Sequence, residues 1–344
     1  MKAMLLAGGL STRLYPLTKT VPKPLVPVAG VPNAVHLIRY LKSYGYNEIA
    51  INVHYLADAI TQTLGDGSDF GVRLEYLHEA KLMGSAGALK PMEAFFGDDT
   101  FVVVGCDDLT NLPLDQLVAM HERMHAVATI GLVEREQVDQ YGVVVTDKTG
   151  RITGFQEKPA PGTERSNLVN TGIYVFSPRI FERIPAETFY DFGKQVFPEL
   201  LVDKLPFYGF DARDAYWCDI GTPSEYRRAS DDVVNGLFRI PDTRPNGADP
   251  SATIAPSATI DRNVWIGSNV RIGERVRIVG PSVVGNESVI EDDALLEASI
   301  LWEGSRIGAG AELRAAIVGK ETVVEPKSIL TGDIVASCQT AERA

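Results

Sequence analysis

The sequence predicts two domains, a doubly wound α/β sheet followed by a parallel β-helix. Over residues 1–237, short apolar runs alternate with segments of helical periodicity, a pattern typical of alternating strands and helices. From residue 254 onward, aliphatic residues return every six positions, which is the period of a β-helix. The length of 344 residues is ample for both domains.

The predicted first domain covers residues 1–237. Ligands of doubly wound sheets bind at the carboxyl ends of the strands, so residues 8–13 and Asp107, which follow two predicted strands, are expected at the functional edge. The predicted strands are 2–7, 48–54, 72–77, 101–105, 127–133 and 142–146, and the predicted helices are 33–44, 55–64, 86–96 and 114–124.

Residues 238–250 contain three prolines and a glycine, and this composition predicts a linker. The β-helix is predicted over residues 251–335 and a C-terminal tail over 336–344. Fourteen aliphatic guide positions hold the hexad register through two five-residue steps, and at three hexads per coil they predict about four coils. The guide residues are Ile254, Ile260, Ile266, Ile272, Ile278, Val284, Ile290, Leu296, Leu301, Ile307, Leu313, Val318, Val324 and Leu330.

The charge distribution points to a small anionic ligand. The net charge of −12 argues against nucleic acid or an anionic membrane surface as partner. The first 47 residues, however, carry six basic residues and no acidic one. A local cationic segment in an acidic protein suits a small polyanion.

The expected compartment is the cytoplasm. No apolar run approaches the ~20 residues needed to cross a bilayer. The apolar run after Lys2 is too short for a secretory signal and predicts a buried strand. The three cysteines, Cys106, Cys218 and Cys338, form no CxxC motif and fit a reducing compartment.

The segment LLAGGLSTRLYPLTKTVPKPL, residues 5–25, has the composition of a phosphate site. A strand runs into Gly8-Gly9, where backbone amides can approach and hold an anion. Arg13 offers a bidentate guanidinium, and Lys23 lies between two prolines, which predicts an extended backbone and a fixed point charge. No P-loop motif and no GxGxxG motif is present.

These residues resemble the sugar-1-phosphate nucleotidyltransferases, whose signature reads close to LAGGxGTRLxPLTxxxPKP. The resemblance continues in GSAGALK at 84–90, EKP at 157–159, NTGIYVF at 170–176 and WCDIGTPSEY at 217–226. Ser11 replaces the usual Gly, and Gly105-Cys106-Asp107 stands where Asn-Gly-Asp is frequent. The subgroup most similar is mannose-1-phosphate guanylyltransferase, which implies a Rossmann-like catalytic domain with a left-handed parallel β-helix.

The resemblance implies an in-line attack by a sugar-1-phosphate oxygen on the α-phosphorus of a nucleoside triphosphate, with release of pyrophosphate. That chemistry needs alignment and charge neutralisation by Mg²⁺, Arg and Lys. Arg13, Lys23 and Asp107 are the expected catalytic residues, and Asp107 and Asp219 the expected Mg²⁺ ligands. The implied nucleotide-binding residues are Leu6, Ala7, Gly8, Gly9, Ser11, Thr12, Arg13, Lys23, Glu79, Gly84 and Ser85, and the implied sugar-phosphate residues are Gly142, Glu157, Lys158 and Asn170.

Glu79 makes guanine the expected base. Family members that use thymidine or uridine nucleotides place a Gln five residues before the loop glycine, and Glu79 stands five before Gly84. A carboxylate can accept both N1–H and the N2 amino group of guanine, whereas a Gln amide accepts only one. GTP and mannose-1-phosphate are therefore the expected substrates. The alternatives are a glucose-1-phosphate thymidylyl- or uridylyltransferase, and a catalytically silent regulatory subunit.

We expect neither nucleic acid nor a membrane as partner. We expect a homo-oligomer that is assembled through the β-helix. All phosphate and acid motifs precede residue 237, so residues 251–344 are expected to assemble or regulate.

His121-Glu122-Arg123-Met124-His125 matches the HExxH zinc motif. No histidine follows it to supply a third ligand, so we interpret both histidines as lying on a partly exposed helix face. Cys106 and Cys218 each precede a proposed metal-binding Asp. Because side chains alternate along a strand, the thiols are expected to point away from the site and to be buried.

Overall fold

A computed structural model describes residues 1–239 and 246–337. The chain divides into two compact units: Met1–Leu10 with Leu37–Asp219, and Ser11–His36 with the residues from Ile220 onward. Part of the predicted linker, residues 240–245, lies outside the described residues, as do Cys338 and most of the predicted tail.

The helices and the first thirteen strands have the following bounds. The α-helices are α1 (Asn33–Ser43), α2 (Ala57–Leu64), α3 (Gly84–Gly87), α4 (Glu93–Phe96), α5 (Leu114–Arg123), α6 (Phe197–Val202) and α7 (Pro223–Val234). Strands before α7 are β1 (Lys2–Leu6), β2 (Pro27–Val28), β3 (Val31–Pro32), β4 (Glu48–Val53), β5 (Arg73–His78), β6 (Phe101–Gly105), β7 (Asp108–Thr110), β8 (Ala128–Glu134), β9 (Gly142–Thr146), β10 (Ile152–Glu157), β11 (Leu168–Phe176), β12 (Phe207–Asp211) and β13 (Trp217–Asp219).

The first unit is built on a nine-stranded mixed sheet. Its main path runs β10-β9-β11-β6-β1-β4-β5, and β8 joins β11 to β12. Strands β6, β1, β4 and β5 are parallel, whereas β11 runs antiparallel to both β6 and β8. The parallel half matches the βα alternation of the sequence. The predicted α/β class is confirmed.

The six predicted strands appear with their ends moved by no more than one residue, and three of the four predicted helices appear as α1, α2 and α5. The predicted helix over 86–96 is wrong. That stretch forms α3, a 3₁₀ turn at Lys90–Met92 and α4. Pro91 has no amide hydrogen to donate to the Gly87 carbonyl four residues earlier, so the stretch divides into shorter helical pieces despite its apolar periodicity.

Aromatic side chains dominate the core of the first unit. Phe96 and Phe101 stack with ring centroids 4.0 Å apart, and Phe176 stacks on Phe192 at 5.0 Å. These rings are fully or almost fully buried. Stacked aromatic pairs stabilise a core beyond their buried area, so the sheet is a rigid base for the loops at its strand ends.

Within the described part of the chain, sixteen short strands follow α7. They form three parallel sheets in which each strand pairs with the third strand along the chain. Ile266 pairs with Val284, Val284 with Leu301, and Leu301 with Val318. The strands are β14 (Gly247–Ala248), β15 (Thr253–Ile254), β16 (Thr259–Ile260), β17 (Val264–Ile266), β18 (Arg271–Ile272), β19 (Arg277–Val279), β20 (Ser282–Val284), β21 (Val289–Ile290), β22 (Leu295–Glu297), β23 (Ile300–Leu301), β24 (Arg306–Ile307), β25 (Glu312–Arg314), β26 (Ile317–Val318), β27 (Val323–Val324), β28 (Ile329–Thr331) and β29 (Ile334–Val335).

The hexad guide residues form the interior of this region. From Ile266 to Val324 they are buried, and Ile254, Ile260 and Leu330 pack against the same cluster at its ends. Three parallel sheets around an aliphatic interior are the arrangement expected of the predicted left-handed β-helix, which is confirmed. No helix in the described ranges is long and apolar enough to cross a membrane.

Candidate active site

A polar pocket of about 350 Å³ lies in the first unit, where β6, β10 and β13 end. It brings together seven of the residues predicted from sequence and adds acidic and aromatic residues that sequence reasoning missed. The pocket is lined by Ser85, Asp107, Asp108, Gln140, Tyr141, Gly142, Glu157, Lys158, Asn170, Thr171, Gly172, Tyr174, Asp191, Phe192, Gly193, Trp217 and Asp219.

Two short antiparallel strands bring the predicted metal ligands to this pocket. Asp107 lies in the turn between β6 and β7. Strand β13 pairs with β7, and Asp219 lies opposite Asp108 in the ladder. Residues far apart in the chain therefore place acidic groups around one space.

Glycines clear the space that these carboxylates occupy. A Cβ at Gly105 would come within 2.9 Å of Asp107 Oδ1 and of Asp108 Oδ2, and one at Gly172 within 2.9 Å of Asp108 Oδ2. Asp108 is buried, and its Oδ1 accepts a hydrogen bond from Trp217 Nε1 at 2.9 Å. Carboxylate oxygens are the donors that Mg²⁺ prefers, and one or two of them suffice when substrate oxygens complete the shell. The described residues contain no group of three or more such side chains that could hold a metal ion, so Asp107 and Asp219 fit magnesium as the two carboxylates of a shell that substrate oxygens and water complete.

Glu157 and Lys158 lie where β10 ends. Glu157 pairs with Gly142 in the β9–β10 ladder, and the Lys158 amide donates to Tyr141 O at 3.1 Å. Lys158 has a φ of +46°, an uncommon conformation for a side chain with a Cβ. The turn places the carboxylate and the ammonium in the lining of one pocket.

The carboxylate of Glu157 occupies a gap left by another glycine. A Cβ at Gly193 would lie 2.5 Å from Glu157 Oε2. Partial desolvation in the pocket, together with the nearby Asp191 carboxylate, raises the pKa of Glu157, and Lys158 and Lys194 oppose that shift. Two carboxylates are thus held close in a site that also contains a cation.

Asn170 lies at an irregularity of β11. The β11–β8 register shifts between Asn170 and Tyr174, and Gly172 adopts a φ of +79°. Asn170 Oδ1 accepts from the Gly172 amide at 2.9 Å, and its Nδ2 donates to the Tyr174 hydroxyl at 3.0 Å. Such bulges re-aim side chains next to binding sites, and this one turns Asn170 to the pocket.

Ser85, predicted for the nucleotide, lines the same pocket as the sugar-phosphate residues. Its hydroxyl donates to Asp191 Oδ2 at 3.0 Å and accepts from the Phe192 amide at 3.0 Å. The other Asp191 oxygen accepts from the Gly193 amide. Asp191 is a pocket-lining residue that sequence reasoning missed, because a contact across 106 residues leaves no local pattern.

The loop after β1 meets Glu79 through Asn52. Asn52 Oδ1 accepts from the Ala7 amide at 2.9 Å, and its Nδ2 donates to Glu79 Oε2 at 2.6 Å. Glu79 Oε1 accepts from the Met83 amide at 3.0 Å. A Cβ at Gly8 would come within 2.7 Å of both Asn52 Nδ2 and Glu79 Oε2. Glu79 is therefore held directly beside the glycine pair.

The other predicted glycines differ in their surroundings. A Cβ at Gly9 would meet no atom of residues 1–239 or 246–337 within 4 Å, whereas one at Gly84 would lie 2.5 Å from Tyr190 O. Gly84 also has a φ of +80°, so packing and backbone conformation both require glycine there. The protein itself imposes no such steric requirement on Gly9. Leu6 ends β1, and its carbonyl accepts from the Cys106 amide.

Ser11, Thr12, Arg13 and Lys23 belong to the second unit. Ser11 adopts the left-handed conformation, and its carbonyl accepts from Thr18 Oγ1 at 2.6 Å. Thr12 and Arg13 are exposed on the 3₁₀ turn that follows, while Leu14 is buried beneath it. In the chain this turn begins three residues after Gly9.

The extended backbone predicted at Lys23 is wrong. Lys23 begins a 3₁₀ helix, Lys23–Leu25, while Pro22 is the extended residue. The Val26 amide donates to Lys23 O at 3.0 Å and closes the turn. Pro24 fits because the first helical turn needs no amide hydrogen from it. Buried Pro22 and Pro24 still flank the half-buried Lys23.

The HExxH histidines do not share a helix face. Helix α5 ends at Arg123, and His125 follows with a φ of +47°. His121 is buried, contrary to the expected partial exposure, and its Nδ1 lies 2.9 Å from Thr129 Oγ1. Burial lowers the pKa of His121 to about 4. Cys106 and Cys218 are buried, as predicted.

A larger pocket, of about 710 Å³, lies elsewhere on the first unit. Its charged lining residues Asp211 and Arg213 pair with each other at the surface, with Arg213 Nε 2.9 Å from Asp211 Oδ1. It gathers none of the residues predicted for the site. Volume alone does not identify the active site.

The chain belongs to the nucleotidyl transferase family, whose model matches residues 2–236. A second model, the GMPPB C-terminal domain, matches residues 244–343. The predicted family of sugar-1-phosphate nucleotidyltransferases is confirmed by these matches and by the relatives below.

Two curated relatives carry different specificities. A UTP–glucose-1-phosphate uridylyltransferase of Synechocystis sp. is 42% identical over 248 residues, covering 68% of this chain and 64% of that protein. A mannose-1-phosphate guanylyltransferase of Mycobacterium tuberculosis is 35% identical over 245 residues, covering 70% and 67%. The chain thus spans about two thirds of the length of these relatives.

A solved structure shares the fold of the first part of the chain. The crystal structure of a Bacillus anthracis protein, provisionally named a glucose-1-phosphate thymidylyltransferase, is 26% identical and superposes with a TM-score of 0.61. It covers 72% of this chain and 98% of that one.

Proposed function

We propose that this protein joins a nucleoside triphosphate to a hexose-1-phosphate, giving a nucleotide sugar and pyrophosphate. GTP and mannose-1-phosphate are the proposed pair. One observation carries the proposal: a single pocket contains the acids Asp107 and Asp219 together with Glu157, Lys158 and Asn170. The reaction requires acids to bind a metal ion and a cation to bind a phosphate. It also requires hydrogen-bonding groups for the sugar hydroxyls.

Asp107 and Asp219 would hold Mg²⁺. When bound, the ion offsets the negative charge that the attacking and leaving phosphate oxygens bring together. The two carboxylates are held in the pocket by the backbone around them. Gly105 leaves room for the Asp107 side chain, and the β7–β13 ladder fixes Asp219. Trp217 orients the neighbouring Asp108 through its indole N–H.

The sugar phosphate is assigned to the β10 end of the pocket. Lys158 binds the phosphate, and Glu157 and Asn170 accept or donate hydrogen bonds to the hexose hydroxyls. Gly142 and Gly193 leave the space in which Glu157 stands. Holding the sugar phosphate here aligns its nonbridging oxygen for attack, which lowers the entropic part of the barrier.

The nucleotide is assigned to the loop that follows β1. Leu6, Ala7, Gly8, Gly9, Ser11 and Thr12 would contact the nucleoside and its phosphates through the backbone. Arg13 and Lys23 bind the triphosphate and stabilise the charge that develops on it. None of the described residues places an atom within 4 Å of a Cβ built at Gly9, which supports close contact with a ligand there. Gly84 and Ser85 complete the loop after Glu79.

Guanine is the proposed base. Both Glu79 oxygens already accept one protein hydrogen bond each, from Asn52 and Met83. A carboxylate has about four acceptor positions, so two remain for N1–H and the N2 amino group. The match of residues 244–343 to the GMPPB C-terminal domain supports the same substrate pair.

A glucose-1-phosphate uridylyltransferase is the second candidate. The observation that favours it is the 42% identity to the Synechocystis enzyme, compared with 35% to the mycobacterial guanylyltransferase.

The proposed catalytic domain is residues 1–237. The β-helix of residues 251–335 is proposed to assemble a homo-oligomer, and the proposed location is the cytoplasm.

Pyrophosphate release measured for a matrix of nucleoside triphosphates and hexose-1-phosphates tests the proposal. We expect the highest kcat/KM with GTP and mannose-1-phosphate in the presence of Mg²⁺. A preference for UTP or dTTP with glucose-1-phosphate would promote the second candidate. Release with no pair at any enzyme concentration would favour a silent regulatory subunit.

Glu79→Gln sharpens the assignment of the base. The variant should lower kcat/KM for GTP by about 10- to 150-fold, the effect of one charged hydrogen bond, and should leave UTP or dTTP use unchanged or improved. Glu75→Gln, a half-buried Glu on β5, the strand that ends one residue before Glu79, is the matched control. Equal losses with every nucleotide would contradict base recognition by Glu79.

A further inference from the structure

One face of the β-helix differs from the other two. In a β-strand the residue before each inward guide residue points outward. On the sheet that contains β17, β20, β23 and β26 these outward residues are apolar and buried, whereas on the other two sheets several are charged and exposed. The buried outward residues are Trp265, Val283, Ile300 and Ile317.

The hairpin formed by β2 and β3, residues 27–32, contacts this face through Trp265. Gly30, in the turn of the hairpin, has a φ of +70°. A Cβ built there would lie 2.1 Å from Trp265 Cη2. Only glycine allows both the turn and the close approach of the indole ring. The hairpin begins four residues after Lys23 in the chain.

Tyr226 of α7 links the same hairpin to the β-helix by a directed chain of hydrogen bonds. Trp302 Nε1 lies 2.8 Å from the Tyr226 hydroxyl, which lies 2.8 Å from Pro27 O. An indole N–H only donates and a carbonyl only accepts, so the hydroxyl accepts from Trp302 and donates to Pro27. Tyr226 is fully buried and Trp302 almost so, and burial raises the pKa of Tyr226. The hydroxyl proton stays in place.

Arg227 fixes α7 to two successive coils. Its Nη1 donates to Ala298 O at 2.8 Å and its Nη2 to Ala315 O at 2.5 Å. Both acceptors are corner residues of the β-helix with positive φ. Because the guanidinium is planar and donates from a rigid fork, it sets the spacing of α7 against the coils. Helix α7 is therefore a fixed support for Tyr226.

The hairpin in turn adjoins the turn that carries Lys23. The Leu25 amide donates to Pro22 O at 2.8 Å, the Val26 amide to Lys23 O at 3.0 Å, and the Asn33 amide to Val26 O at 3.0 Å. These bonds connect the base of the hairpin to the 3₁₀ turn. A shift of Pro27 would therefore be transmitted to Lys23.

We propose that the β-helix positions the triphosphate-binding segment, and that Tyr226 is the positioning residue. This inference rests on the proposed function, because it takes Lys23 as a ligand of the triphosphate. It assigns the apolar β-helix face a role in catalysis that differs from assembly.

Two variants separate positioning from stability. Tyr226→Phe removes the bond to Pro27 O and should lower kcat/KM for the nucleotide by about 3- to 10-fold, the effect of one neutral hydrogen bond. The KM for the sugar phosphate should stay within about twofold. Trp302→Phe removes the indole donor but leaves the bond to Pro27, so nucleotide kinetics should stay within about twofold even if its urea midpoint falls further.

A structural role alone would order the variants by stability, with Trp302→Phe at least as impaired in nucleotide use as Tyr226→Phe. That order, or unchanged nucleotide kinetics in Tyr226→Phe, would overturn the inference. Tyr76→Phe is the matched control, because it loses a hydroxyl bond to a carbonyl, Gly65 O, in the first unit.

Hydrogen exchange supplies a readout independent of turnover. The amides of Leu25, Val26 and Asn33 should exchange faster in Tyr226→Phe than in the wild type, Trp302→Phe or Tyr76→Phe. Unchanged exchange at all three amides would overturn positioning. If the wild type releases no pyrophosphate with any pair, the proposed function fails, while the exchange result still decides whether Tyr226 orders the segment.

Discussion

The active-site pocket and the interior of the β-helix place opposite kinds of side chain in their enclosed spaces. The pocket contains Asp107, Asp108 and Glu157 in space that glycines leave free. The β-helix interior contains one aliphatic side chain per hexad, such as Leu296 and Ile307, both with no exposed surface. The first arrangement costs stability to hold charge near a ligand, and the second supplies stability by burying apolar area.

This difference predicts that substitutions separate cleanly by region. Changes to pocket acids should reduce turnover with little effect on unfolding. Changes to guide residues should reduce the free energy of unfolding and leave kcat per folded molecule intact. The hairpin and Tyr226 are the exception that we propose, because there a β-helix contact affects nucleotide use.

The largest expected effect is on stability, at a guide residue. Leu296→Ala should lower the free energy of unfolding by about 2 to 5 kcal/mol, because it leaves a cavity in a closely packed interior. Leu295→Ala is the matched control on the same strand, where the side chain points outward and is only partly buried. Urea unfolding of both variants tests this, and equal losses would contradict the inward and outward alternation.

The next effect is on turnover, at a pocket acid. Asp107→Asn should lower kcat by about 100- to 1,000-fold, because the lost carboxylate acts on charge that develops during the reaction. Its urea midpoint should match that of the wild type. Asp99→Asn, at an exposed position, is the control. Turnover of Asp107→Asn near the wild-type rate at saturating Mg²⁺ would remove Asp107 from the mechanism.

The regular region could be predicted from the sequence alone. A period of six repeated over fourteen guide positions specifies both the coil and its interior, because each repeat makes the same contact with the next. The outward apolar residues before the guides, such as Trp265 and Ile300, also signalled a covered face. The hexad period by itself does not specify that face, because it constrains only the inward positions.

The pocket could be predicted only through the resemblance, and only in part. Asp107, Glu157 and Asn170 stand in family motifs, but the bulge that turns Asn170 depends on how β11 pairs with β8. Asp191 reaches Ser85 across 106 residues. The preference of residues before proline for extended backbone does not decide the conformation of Lys23, because the 3₁₀ hydrogen bond from the Val26 amide outweighs it.

The burial of His121 in the first unit predicts that the stability of the protein depends on pH. Burial lowers its pKa to about 4, below the ordinary 6.5. Between these values the unfolded chain binds a proton that the folded chain excludes, so stability is lost as pH falls from 6.5 to 4. The loss attributable to His121 should reach about 3 kcal/mol.

Urea unfolding of the wild type and of His121→Gln at several pH values measures that loss. It is the amount by which the unfolding free energy of the wild type falls more than that of His121→Gln between pH 6.5 and 4. His125→Gln is the control, since His125 is exposed and lies four residues away. A wild-type curve parallel to that of His121→Gln across the window would show that His121 does not resist protonation in the folded state.

The smallest effect within the pocket is expected at Gly193, where no backbone atom obstructs an alanine. Gly193 lies in a helical turn, and the atom that a new Cβ would meet first is Glu157 Oε2, the mobile end of a side chain. Gly193→Ala should therefore leave the urea midpoint unchanged and displace Glu157, raising KM for the sugar phosphate about 5- to 10-fold, the effect of one hydrogen bond. In a Glu157→Ala background the same change should have no further effect, because the displaced group is already absent. Additive losses in the double variant would show that Gly193 acts on the sugar by another route.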